Sequence, residues 1–423
     1  MTKAAKATHD DGAQEQSHGK SRFRRRILML GPGFIAAVAY LDPGNFATNI
    51  TAGAQYGYLL VWVVVASNLM AMLVQYLAAR IGVLTGRTLP ELIADSSSRP
   101  MRLGFWLQAQ VVAIATDLAE VVGGAVALQV LAGVPLVWGA VVTVVVSTVI
   151  LMFQGGRRHR RFERLIVTMV ILIAVGMGWC LVAARPDPLA SIEGLAPRFE
   201  GGNSLMLAAG MLGATVMPHA IYLHSALVRD RFGRVTEQDT EHVLRSTRWD
   251  IVLSMMLAGS VNLAMVLLAA AALGGHHNTE TLEGAHDALL HTLGAGPAWA
   301  FAVALLLAGL ASTTVGSYSG SVIMNGLLRV DITPLISRLV TAVPAVLILA
   351  AGVDATRALV ISQVVLSFGI PLVLVPLIRL SADPRVTGRK LSFPVSIAAW
   401  LSAGLIVALN LALLWQTIGL GIG

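Results

Sequence analysis

Apolar residues run through this chain in eleven long stretches, separated by short segments in which the charged residues collect. The stretches lie at residues 28–54, 58–84, 103–130, 134–154, 164–184, 203–228, 249–273, 297–327, 335–352, 355–378 and 392–417. A helix needs about 20 apolar residues to cross a bilayer, so the pattern predicts eleven membrane-spanning helices. Two of them are interrupted in mid-span by polar, helix-stopping clusters. Asp42-Pro43-Gly44-Asn45 breaks the first and Met217-Pro218-His219 breaks the sixth. Proline lacks the N–H that a helix interior needs, and glycine weakens the helix further. Hydrocarbon offers nothing to a freed N–H or C=O, so a break at that depth has to line a cavity or touch a ligand. Corresponding breaks in two halves of a chain point to a transporter's midplane site.

Spans 1–5 begin with one break and spans 6–10 with the other. An odd number of spans per half inverts the second half relative to the first. The chain therefore divides into a disordered tail (1–26), a first repeat (27–184), an inverted second repeat (203–379) and a segment carrying the added eleventh span (391–423).

Composition narrows the class. Of 423 residues, 56% are hydrophobic and 13% charged, about half the charge of a soluble domain. The chain reads as an all-α polytopic membrane protein. Its net charge of +7 would suit a nucleic-acid binder, but the placement of the charges explains it otherwise. With a cytoplasmic N-terminus, 27 of the 30 Lys and Arg fall on inner segments, and Arg185, Arg198 and Arg357 fall outside. That is the positive-inside rule, and it puts the uncharged C-terminus outside. The lone Cys180 excludes a disulfide framework. No cleavable signal pattern is expected, and a multi-pass place in the cytoplasmic membrane is.

The breaks carry the candidate chemistry. An ionised Asp42 costs several kcal/mol at this depth unless partnered, and no basic residue follows Arg26 within its span. A cation is the natural partner. At a surface the same four residues would read as a β-turn; within an apolar segment they read as a site. Pro218 frees a carbonyl about one turn earlier, near Ala214. Oxygen donors alone suit Mg²⁺ and Ca²⁺, whereas a thioether such as Met217 favours softer transition metals. The mixed set points to Mn²⁺ or Fe²⁺, with Cd²⁺ as a toxic passenger.

The two broken motifs resemble the signatures of Nramp divalent-metal/proton symporters. The similarity runs from about Leu30 to the last helix. It includes Ala115-Thr116-Asp117-Leu118-Ala119-Glu120, Asn262-Leu263-Ala264-Met265 and the Gly/Ser/Thr-rich 309–326. The resemblance implies a LeuT-like 5+5 inverted repeat with an eleventh helix. It implies metal ligation by the side chains of Asp42, Asn45 and Met217, by the carbonyls of Ala39 and Ala214, and by Gln363 in one conformational state. It also implies a proton route through Asp42, His219, Asp117 and Glu120, with Arg338 as a charged partner. The function so implied is non-enzymatic, proton-coupled uptake of Mn²⁺ and Fe²⁺ by a monomer working by alternating access. Its partners are the divalent ion, protons and the lipid bilayer, with no nucleic acid and no cofactor besides the transported ions. Ser321 stands where many relatives have Gln, and Ser337-Arg338 where many have paired Arg; both lie away from the implied ligands.

Asp117 and Glu120 share a helix face, and two carboxylates in one apolar helix usually mark an ion or proton path. The alternative is a static pair neutralised by Arg338. His224 stands about 140° round the helix from His219, with packing and function equally open. Arg157, Arg158, Arg160, Arg161 and Arg164 follow from topology alone. The loop 274–296, with His276, His277, Glu280, Glu283, His286, Asp287 and His291, could gather metal, but reads rather as a solvated amphipathic loop helix. An organic-substrate symporter would place a carboxylate at the half-helix ends, where Asp42 repels it unless the substrate also carries an amine. Neither His-Glu-x-x-His nor Gly-x-Ser-x-Gly occurs, Tyr318 taking the middle place of 316–320. A passive channel differs from a symporter in lacking dependence on a pH gradient.

Overall fold

A computed structural model describes residues 31–153, 159–275 and 279–419. Among these residues the chain is helical, with no strand. The first interrupted span is α1 (Pro32–Ala37), continued by a 3-10 turn (Val38–Leu41), and α2 (Pro43–Tyr56). Then follow α3 (Val61–Thr85), the short α4 (Leu89–Ser96), α5 (Arg99–Ala132), α6 (Leu136–Leu151), α7 (His159–Ala184) and the short α8 (Pro188–Glu193). The second interrupted span is α9 (Gly201–Thr215) and α10 (Pro218–Phe232). It leads to α11 (Glu237–Ala272), the loop helix α12 (Leu282–Leu293), α13 (Ala295–Ile323), α14 (Pro334–Ala350), α15 (Ala355–Ala382), α16 (Pro384–Thr387) and α17 (Phe393–Gly419).

Eight of the described helices are long and apolar enough to cross a membrane, counting α9 and α10 together. Three shorter apolar helices, Pro32–Leu41, Leu136–Leu151 and Pro334–Ala350, occupy the other three predicted positions. Large apolar side chains stay exposed on the outer helices, such as Trp138, Trp179, Val182 and Leu401. Such a girdle would be a liability in water and suits hydrocarbon. The interior instead holds Asp42, Asn45, Asp117, Glu120, His219 and Arg338, all buried. Polar groups turned inward across a bilayer are characteristic of substrate and ion paths.

The broken spans sit at the centre. Helix α2 packs on α11, α9 and α5, while α10 packs on α3, α13 and α15. The close approach of α5 to the first break needs a glycine, since a Cβ at Gly123 would run into the ring of Pro43. Helix α12 confirms the loop helix, burying Leu282, Ala285, Ala288 and Leu289 and exposing Asp287 and His291. Among the described residues, two of the basic residues counted above with the inner segments are buried within helices: Arg338 fully in α14, and Arg80 near the end of α3. The tail 1–26, Arg157, Arg158, the side chain of Arg160, His276 and His277 lie outside the described residues.

Candidate metal centre

Both breaks are built by one device. A residue before proline is driven out of the α region, and proline is well suited to the first turn of a helix. Asp42 is accordingly extended (φ −71°, ψ 163°) and Pro43 opens α2. Met217 is extended in the same way (φ −82°, ψ 122°) and Pro218 opens α10. Asp42 is also the N-cap of α2, its carboxylate accepting from Gly44 N at 3.1 Å and Asn45 N at 3.0 Å. The Asp-Pro-Gly-Asn cluster is thus a helix start inside the bundle rather than a surface turn. Met217 has no side-chain cap to make, and its thioether is buried.

Asn45 joins the two breaks. Its Nδ2 donates to Asp42 Oδ1 at 2.6 Å and, across the bundle, to the carbonyl of Ala214 at 3.0 Å. Ala214 stands four residues before Pro218, so its carbonyl is the one deprived of a helical donor. Thr215 Oγ1 donates to Asn45 Oδ1 at 3.2 Å. Gln363 of α15 is buried beside the first break, since a Cβ on Gly44 would meet its amide. Ala39 lies buried in the 3-10 turn, four residues before Pro43. Among the described residues no three His, Cys, Asp or Glu side chains gather as a metal site. The donors assembled here are one carboxylate, an amide and a backbone carbonyl, with a second amide and a thioether at the breaks.

The carboxylates of α5 have separate partners. Arg338 Nη1 pairs with Asp117 Oδ1, which also accepts from Thr313 Oγ1 at 2.6 Å, and Arg338 Nη2 donates to Ser147 Oγ at 3.0 Å. Glu120 instead accepts from the hydroxyl of Ser312. Removing one member of such a buried ion pair leaves an uncompensated charge. His219 Nδ1 lies 3.5 Å from Thr116 Oγ1, next to Asp117 in sequence, and the His219 carbonyl accepts from Ser319 at 2.7 Å. His224 belongs to a different chain of contacts. Its Nδ1 is 2.6 Å from Gln75 Oε1, and Gln75 Nε2 donates to Tyr40 OH at 2.6 Å. Sequence reasoning missed Thr215, Ser312, Thr313, Ser147, Gln75 and Tyr40. The one hint was the Gly/Ser/Thr-rich stretch 309–326, which contains two of them.

Beyond the membrane spans, Arg87 and then Arg329 hold the Asp95 carboxyl of α4 below the usual carboxylate range. Arg229 reaches from the end of α10 to Glu91 of α4 at 2.7 Å.

A family model described as "Natural resistance-associated macrophage protein-like" matches residues 33–416. This chain belongs to the Nramp family. It is 49% identical over 392 residues to the divalent metal cation transporter MntH of Mycobacterium tuberculosis strain H37Rv, covering 92% of each chain. Its structure resembles that of the Eremococcus coleocola manganese transporter in complex with an aromatic bis-isothiourea substituted compound. There the TM-score is 0.84 at 29% identity, over 95% of this chain and 93% of that one. The inward-facing conformation of Mhp1 matches at TM-score 0.55 and 14% identity, over 92% and 91% of the two chains, a likeness of fold alone. The Nramp chain thus has the LeuT-like architecture that the family resemblance implied.

Proposed function

We propose that this chain carries Mn²⁺ into the cell together with protons, with Fe²⁺ and Cd²⁺ as further substrates, by alternating access. The observation that carries the reading is the link from Asp42 through Asn45 to the freed carbonyl of Ala214, which draws both breaks to one point. The metal's ligands are the side chains of Asp42, Asn45 and Met217, the carbonyls of Ala39 and Ala214, and Gln363 in one conformational state. Oxygens replace hydration water, and the thioether disfavours hard ions. The relatives named as divalent metal cation and manganese transporters support a metal as cargo.

The proton route runs from Asp42 and His219 to Glu120 and Asp117, with Arg338 stabilising Asp117. Its support is the burial of both carboxylates in an apolar helix. Repeats 27–184 and 203–379 move against each other about the breaks. With the N-terminus cytoplasmic, inward movement gains about 2.3 kcal/mol per positive charge per 100 mV. The carrier works as a monomer in the cytoplasmic membrane. Replacing Asp42 by Ala should abolish Mn²⁺ uptake by proteoliposomes of the purified protein; retained uptake removes Asp42 from the site.

A further inference from the structure

Helix α15 runs along both breaks. Gln363 lies at Gly44. One turn on, Ser367 packs against Gly213, where an added Cβ would come 3.0 Å from the Ser367 Cβ. At Gly369 an added Cβ would come 3.6 Å from the ring of Pro218. The same helix carries Pro371 in its interior. The missing N–H leaves the carbonyl four residues earlier, that of Ser367, without its helical donor. A donor comes from another helix: Asn410 Nδ2 of α17 donates to the Ser367 carbonyl at 2.7 Å, and the Ser367 hydroxyl donates to Asn410 Oδ1. Asn410 is buried with Ala399, Ala403 and Ile406 on a helix that also exposes Leu401, Leu405, Leu411 and Trp415. A buried amide is costly unless bonded, and here both its ends are used on one residue of α15.

We propose that Asn410 is a positioning residue for Gln363. It holds the proline-weakened turn 367–371 so that Gln363, one turn earlier, faces Asp42 and Asn45. The eleventh helix, outside both repeats, is then part of the transport machinery. The inference rests on reading Gln363 as a metal ligand.

The test is the kinetics of Mn²⁺ uptake in proteoliposomes. Asn410→Leu should raise the KM for Mn²⁺ about tenfold, the effect of stripping one buried carbonyl of its donor, with Vmax little changed. Pro371→Ala restores an N–H four residues after Ser367, so the double variant Asn410→Leu/Pro371→Ala should regain the parental KM. A side chain that merely fills space would not be rescued in this way. In a Gln363→Ala background, Asn410→Leu should add no further rise, the signature of coupled sites. An unchanged KM in Asn410→Leu, or a double variant as impaired as the single, overturns the proposal. If Asn410→Leu fails to reach the membrane, Asn410→Ala is read by the same criteria. Gln363→Ala at the parental KM would instead overturn the role of Gln363 in the metal shell, while rescue by Pro371→Ala would still report the brace.

Discussion

At the scale of single residues, the buried thioether and the two α5 carboxylates carry separable predictions. Met217 is the one soft donor at the breaks, so Met217→Ala should keep Mn²⁺ transport while admitting Ca²⁺ far better. Radiolabelled Ca²⁺ uptake checks this, and unchanged exclusion of Ca²⁺ would refute the filter. Among the described residues, the hydrogen-bond partner of Glu120 is a hydroxyl, whereas Asp117 holds the arginine. Glu120→Gln should therefore weaken metal-driven proton entry more than Mn²⁺ binding. Equal losses, read by a pH-sensitive dye and by calorimetry, would point to a structural role. Adjacent residues show why such partners escape a reading of sequence alone. Thr313 donates to Asp117, yet its neighbour Thr314 turns back to the carbonyl of Leu310 at 2.7 Å. Hydroxyls in helices commonly bond their own backbone, and only the packing of α13 on α5 separates the two cases.

At the scale of elements, the breaks were legible because proline acts locally. It removes one N–H, frees one carbonyl four residues back and starts the next helix, and all three effects follow from position alone. The Ala214 carbonyl and the helix starts at Pro43 and Pro218 needed no knowledge of the fold. What fills the space around them did. The fit of α5 against the first break depends on Gly123 lying over Pro43. Gly123→Ala should destabilise the protein by about 1–3 kcal/mol, as overpacking does. It should lower both the thermal midpoint and Mn²⁺ uptake, and a variant unchanged in both would show that the two helices do not meet so closely.

At the scale of the whole molecule, the hydrophobic pattern placed its eleven apolar segments within a few residues of the described helices, except for α11, whose helix begins at Glu237 rather than near residue 249. The charges in loops orient the chain only by the positive-inside rule, and Arg338 shows how a basic residue at a span's edge can belong to the interior instead. Orientation has its own test. In a Cys180→Ser background, Arg357→Cys should react with a membrane-impermeant maleimide on intact cells and Arg385→Cys only after lysis; the reverse pattern would invert the topology. Both positions are exposed, and Cys180 is buried. One consequence reaches across the molecule. The amide hydrogens of Asn45 grip Asp42 on one half and Ala214 on the other, the same oxygens that a dication would take on the ligand set proposed above. On that reading a cation that took the oxygen of Asn45 would turn the amide over, the Thr215 hydroxyl then accepting from it while donating to the Met211 carbonyl. On the proposed mechanism, a carrier between cargoes would clasp itself shut on its own NH₂ group, and so make the return stroke without a passenger.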